Sequence, residues 1–170
     1  MKQKMGLFVF KSAEMDKKVN ALLPVVETAA VLIIRDGAIL VAFNERWGAF
    51  SLPMTKRRSW AAPNVKDTGE RVEDWEDAAT RAAAECLGTT LTKGPTFMAE
   101  LAEFQQSDRD SEWKRYHLRA YRFDVDSDAE GCGRPIVEWL SADELLDENR
   151  KPLSPTTRYI INELRLQGQV

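Results

Sequence analysis

Residues 73–88, EDWEDAATRAAAECLG, constrain the fold of this chain more than any other stretch. Asp74 can serve as a helix N-cap, with Asp77 three residues on. Gly88 is a natural residue just past a helix end, where the left-handed conformation is favoured. Between them the spacing predicts one helix of about four turns. At about 100° per residue, Trp75, Ala79, Ala83 and Cys86 share one arc, flanked by Leu87, which reads as a core face. Asp77, Arg81 and Glu85 follow at i, i+4 and i+8 on another face.

The flanking segments read as strands. Residues 25–34, VVETAAVLII, are rich in β-branched and apolar types and predict a buried strand. Asp36-Gly37 is a hairpin-turn dipeptide, and residues 38–43 read as the returning strand. Residues 57–71 are polar, carry Pro63 and Gly69, and read as a loop. Two strands are expected at 97–104 and 116–124, joined by the charged loop 105–114, with a last short strand at 136–140. Ser141 and Glu144 form a capping box, and Ser154-Pro155 starts a final helix whose apolar stripe is Ile160, Ile161 and Leu164. The order of strand hairpin, helix, strands and helix gives an α/β chain: a mixed sheet covered by helices.

With those residues in place, the helix segment resembles the Nudix box: Gly, five residues, Glu, seven residues, Arg-Glu, an apolar residue, any residue, Glu-Glu, any residue, Gly, an apolar residue. Glu73, Arg81, Glu85 and Gly88 stand at matching positions, within a box spanning residues 67–89. Ala82 stands where the family has its first metal-binding Glu, and Cys86 where it has the last. Residues 48–56, GAFSLPMTK, resemble the stretch where the family has Leu-Pro-Gly-Gly-Lys, with Met54-Thr55 replacing the glycine pair. Residues 138–145 resemble a strand-to-helix turn common late in Nudix domains. The resemblance covers roughly residues 25–167 and implies an α/β/α sandwich over residues 24–170, preceded by an N-terminal extension of residues 1–23. In that extension a short strand at 7–10 and a helix at 13–23 are expected.

In the family the equivalents of Glu73 and Arg81 pair structurally, and the resemblance implies the same brace here. It also implies a Mg²⁺ or Mn²⁺ site, of which Glu85 is the surviving ligand. Mg²⁺ wants hard oxygen ligands in octahedral geometry. Ala82 cannot ligate, and the soft sulfur of Cys86 is a poor match. A thiol there reads as a small core filler. Glu85 can equally pair with Arg81 on a solvated face. Substitute acids would have to come from elsewhere: Glu100 and Glu103 on an expected strand, or Asp108, Asp110 and Glu112 in a loop, with Glu112 taken as the catalytic candidate.

Lys56, Arg57 and Arg58 follow Pro53 closely, and guanidinium forks suit phosphate oxygens. Lys56 and Arg57 are therefore candidate ligand-binding residues, against plain surface charge. Trp47, Phe50 and Trp60 cluster along the same segment. Phe50 reads as core, and Trp60, in a polar setting, as the candidate for stacking on a nucleobase. His117 reads as a hydrogen-bonded structural histidine.

Composition narrows the function classes. The chain has 170 residues, 44% apolar and 30% charged, with a formal net charge of −3. That suits one core and argues against a broad nucleic-acid surface. No apolar run reaches membrane-spanning length. Two cysteines without framework spacing, Cys86 and Cys132, and the lack of a signal peptide predict a cytoplasmic protein with free thiols. Two functions stay open. One is a Nudix-fold protein with a degraded metal box that binds a nucleoside diphosphate-type ligand with weak or no hydrolysis. The other is an active Mg²⁺- or Mn²⁺-dependent hydrolase that cleaves a nucleoside diphosphate linked to another group. A homodimer is expected from the resemblance alone.

Overall fold

The computed structural model describes residues 23–61, 70–107, 111–126, 136–149 and 152–170. The strand expected at 7–10 and nearly all of the helix expected at 13–23 fall outside these residues, as do Cys132, Asp108 and Asp110.

A seven-stranded mixed sheet forms the middle layer. β1 (Val25–Arg35) turns at Asp36 (φ 49°) and Gly37 (φ 80°) into β2 (Ala38–Asn44). Positive φ at both central residues is what a tight hairpin turn requires, and Asp-Gly accepts it readily. β1 lies parallel to β8 (Trp113–Asp124) along its whole length, from Val25 beside Arg115 to Ile34 beside Asp124. β8 pairs antiparallel with β7 (Thr96–Gln106), with a register shift between Phe97 and Ala99. β9 (Val137–Leu140) pairs with β2 on its far edge.

β1 and β2 part company soon after their hairpin. Only Ile34 with Ile39 and Arg35 with Ala38 remain paired. The gap between the two strands is filled by one piece of chain. β3 (Ala49–Ser51) pairs with Ala42 to Asn44 of β2, and β4 (Met54–Lys56) pairs with Thr28 to Ala30 of β1. Between them Pro53 accepts a hydrogen bond from Val31 N (2.9 Å). Residues 49–56 are thus a wedge that holds the two strands apart.

The alternating side chains of β1 sort the core into two layers, as the period of two demands. Ala29, Val31 and Ile33 pack with Leu40, Tyr121 and Phe123 under α1 (Trp75–Leu87). Ala30, Leu32 and Ile34 face the other way, with Leu101 and Leu118, towards α2 (Ala142–Leu146) and α3 (Pro155–Leu166). The result is the α/β/α sandwich that the family resemblance implied, with the mixed sheet that the order of elements predicted. The capping box at Ser141 and Glu144 is present, and Ser154 Oγ accepts from Thr157 N with Pro155 at the helix start.

Residues 57–71 differ from the loop expected of them. β5 (Ser59–Ala61) and β6 (Glu70–Val72) pair antiparallel at the ends of that segment. Strands of three residues are too short to show an alternating pattern, so the periodicity did not reveal them. Among the described residues no helix is long and apolar enough to cross a membrane.

Candidate functional site

A cleft of 480 Å³ opens where the β2–β3 turn, the wedge and the second half of α1 meet. Its lining includes Glu45, Arg46 and Trp47 of the turn, Ser51 and Met54 of the wedge, and Ala82, Glu85 and Cys86 of α1.

The turn is built by Asn44. Its side-chain oxygen accepts from Arg46 N (3.1 Å) and Trp47 N (3.4 Å), and its carbonyl accepts from Trp47 N (3.1 Å). Gly48 leaves the turn at φ 60°, where a side chain would strain the backbone. Trp47 consequently stands at the cleft with 45% of its surface exposed. Phe43 and Phe50, on either side of the turn, meet edge-on at 5.3 Å between centroids.

The α1 wall is held by a brace. Arg81 donates from Nε to Glu73 Oε1 (2.9 Å) and from Nη2 to Glu73 Oε2 (2.8 Å). The same guanidinium donates to Thr55 Oγ1 (2.7 Å) and to the Lys56 carbonyl (3.0 Å). One side chain therefore ties α1 both to the segment before it and to the wedge. Glu73 Oε2 also accepts from Arg58 N (2.9 Å). The Arg81 hydrogen bond holds the Glu73 carboxyl below the usual carboxylate range, against the opposing effect of burial, with Arg58 N assisting. Gly88 ends the helix at φ 69° and donates to the Ala84 carbonyl.

Ala82 and Cys86 belong to the core beneath α1, exposed by only 4% and 2%. The helix buries Ala78 and Ala82 besides the arc read from the sequence, because small side chains let it lie close on the sheet. Glu85 is the exposed acid of the cleft's α1 wall, and its Oε1 lies 3.7 Å from Arg81 Nη1. Among the described residues no three His, Cys, Asp or Glu side chains converge as a metal-binding group. Asp74 occupies the N-cap position of α1 but makes no side-chain capping bond.

Of the other residues singled out in the sequence, Lys56, Arg57, Glu112 and His117 are not among those lining this cleft. Arg57 Nη1 pairs with Glu27 Oε2 (2.6 Å), its Nε donates to the Glu73 carbonyl (2.8 Å), and its guanidinium lies 4.5 Å over the Trp75 ring. Lys56 is exposed on β4 and gives its carbonyl to Arg81. Trp60 sits on β5, paired in register with Arg71. Glu112 lies at the β7–β8 turn, where its carbonyl accepts from Ser107 N (2.8 Å). His117 bonds Glu100 through Nε2 and meets Trp75 edge-on, a structural setting as expected. Sequence reasoning noted Trp47 among the aromatics but did not single it out, and it missed Arg46 and Ser51. The signal available was position: all three sit in or beside the turn leading into the Leu-Pro stretch.

No protein-family model matches this sequence, and no curated protein matches it. Solved structures do. The MutT protein of Methanosarcina mazei superposes with a TM-score of 0.59 at 17% identity, covering 87% of this chain and 98% of that one. A MutT Nudix hydrolase of Burkholderia pseudomallei gives 0.56 at 20% identity, covering 82% and 98%. The Nudix domain of NrtR from Shewanella oneidensis, complexed with ADP ribose, gives 0.56 at 15% identity, covering 92% and 99%. The chain has the Nudix fold.

Proposed function

We propose that this Nudix-fold protein binds a nucleoside diphosphate-type ligand in the cleft between α1 and the β2–β3 turn, with weak or no hydrolysis. The observation that carries this reading is the burial of Ala82 and Cys86 in the core under α1, which leaves Glu85 as the exposed acid of that wall. A methyl group, a buried thiol and one carboxylate do not fit Mg²⁺, which needs several oxygen ligands to be held tightly. Glu45 is the second acid of the cleft, on the opposite wall, and no converging acid group forms with it. Without a well-held cation, polarising a phosphorus and activating a water lack their usual agent.

Binding is supported independently of chemistry. The cleft is open, braced on one side by the Arg81–Glu73 pair and fixed on the other by the Asn44 turn. It mixes apolar walls with a few polar groups, as small-molecule sites do. The NrtR domain of the same fold is complexed with ADP ribose, which makes ligands of that chemical class the first to try.

The test is a panel of ADP-ribose, dinucleoside polyphosphates and nucleoside triphosphates. Binding is read by calorimetry, and product release is read with Mg²⁺ and separately with Mn²⁺. The expected result is saturable binding with little or no product. Metal-dependent turnover that disappears in Glu85→Gln would overturn the proposal and establish a working hydrolase.

A further inference from the structure

Three residues of the cleft belong neither to the Arg81 brace nor to the α1 wall: Trp47, Arg46 and Ser51. Trp47 carries a large apolar ring, is 45% exposed and lines the cleft. Its backbone N–H donates to both the side-chain oxygen and the carbonyl of Asn44, and Gly48 follows at positive φ. Arg46, beside it, lines the same cleft and forms no ion pair with any described residue. Ser51 lies in the cleft lining, only 8% exposed, and its hydroxyl has no hydrogen-bond partner among the described residues. A nearly buried hydroxyl that reaches a cleft without a partner is a group awaiting one.

We infer that the mouth of the cleft is a seat for a heteroaromatic ring, with Trp47 as its stacking platform, the Ser51 hydroxyl as its polar contact and Arg46 as the partner of the ligand's anion. The inference rests on the ligand-binding reading and adds which part of the ligand goes where. An indole on a turn whose backbone is already ordered presents a π-face without the cost of ordering the loop. A guanidinium in the adjacent position suits a phosphate oxygen of the same molecule. Asn44 cannot serve as the base reader through its side-chain Oδ1, because that atom already accepts from the Arg46 and Trp47 amides. The polar contact therefore falls to Ser51, which lies on β3 directly after the turn.

The test is calorimetry with ADP-ribose as the base-bearing probe and ribose 5-phosphate as the probe lacking a base. Both are titrated into wild type, Trp47→Ala, Trp47→Phe and Ser51→Ala, with thermal melts confirming that each variant is folded. Trp47→Ala should weaken ADP-ribose by roughly tenfold or more, while Trp47→Phe keeps most of the affinity. Ser51→Ala should weaken ADP-ribose severalfold, and ribose 5-phosphate should bind all four proteins alike. Equal ADP-ribose affinity in wild type and Trp47→Ala would overturn this inference and leave the ligand-binding reading standing. No binding of any nucleotide by wild type would overturn both. Should Trp47→Ala fail to fold, quenching of wild-type fluorescence by ADP-ribose that persists undiminished in Trp47→Phe overturns the inference, and its loss there supports it.

Discussion

Arg81 and Glu73 meet fork to fork, two nitrogens on two oxygens at 2.9 and 2.8 Å, across the start of α1. Both side chains are largely buried, at 18% and 10% exposure, so the pair is screened little by solvent. Removing Arg81 would leave Glu73, Thr55 and the Lys56 carbonyl each short of a partner. Arg81→Ala should destabilise the fold by about 2–3 kcal/mol, seen as a lower urea midpoint with unchanged slope. Because the folded Glu73 carboxyl titrates below the ordinary 4.5, the pair's contribution is present above that pH and lost as pH falls through the lower, folded value. A variant within experimental error of wild type would show that the brace is decorative.

Glu103 produces a pH dependence of opposite sign. The residue is 4% exposed, and neither carboxyl oxygen has a hydrogen-bond partner among the described residues. The adjacent Thr156 hydroxyl donates to Gln105 instead (3.1 Å), so it opposes the effect of burial only weakly. Burial pushes the Glu103 carboxyl up from 4.5 to about 7. The folded state then holds a proton that the unfolded state releases, so stability from this group is full below pH 4.5 and declines as pH rises to about 7. Glu103→Gln should remove that decline and stabilise the protein at pH 8 by about 3 kcal/mol. Parallel stability curves for the two proteins between pH 4.5 and 8 would contradict this.

Arg57 and Lys56 separate stability from binding. Arg57 is engaged by Glu27, the Glu73 carbonyl and the Trp75 ring, whereas Lys56 is exposed. Arg57→Ala should cost about 1–2 kcal/mol of stability, and Lys56→Ala less than about 0.5 kcal/mol. Neither should change nucleotide affinity measured by calorimetry. A marked, salt-sensitive loss of affinity in the double variant would return both residues to the phosphate-binding role that their sequence position suggests.

Restoring the two missing acids tests the alignment of α1. Ala82 and Cys86 are buried, so Ala82→Glu with Cys86→Glu should lower stability in the absence of metal. If these positions converge on a cation site, millimolar Mg²⁺ or Mn²⁺ should restore part of that loss through linkage, and calorimetry should detect divalent binding that wild type lacks. Destabilisation with no metal-linked recovery would mean that the helix presents these positions to the core alone.

Much of this architecture was legible because it is written in local chemistry. Asp36-Gly37 marks its hairpin, Gly88 its helix end, and Ser141 with Glu144 a capping box, each within a few residues. The spacing of Glu73 and Arg81 foretold their pairing through the family resemblance. What stayed hidden depends on distant partners. Nothing local announces that Val25 to Ile34 runs parallel to Arg115 to Asp124, or that residues 49–56 fill the gap between β1 and β2. The cleft was not foreseen for the same reason: only the register of the β2–β3 turn brings Trp47 to its lining. Ala82 read only as a missing ligand, yet its burial shows that it also lets α1 lie close to the sheet.

The wedge between β1 and β2 separates shape from chemistry. The width of the cleft is dictated by main-chain pairing of residues 49–56 with the two strands, and by one guanidinium that touches Glu73, Thr55 and the Lys56 carbonyl. None of those contacts uses residues 82, 85 or 86. That frame is therefore set apart from the charge carried at exposed position 85, and a chain of this kind can exchange its exposed cleft-facing side chains for others without rebuilding it.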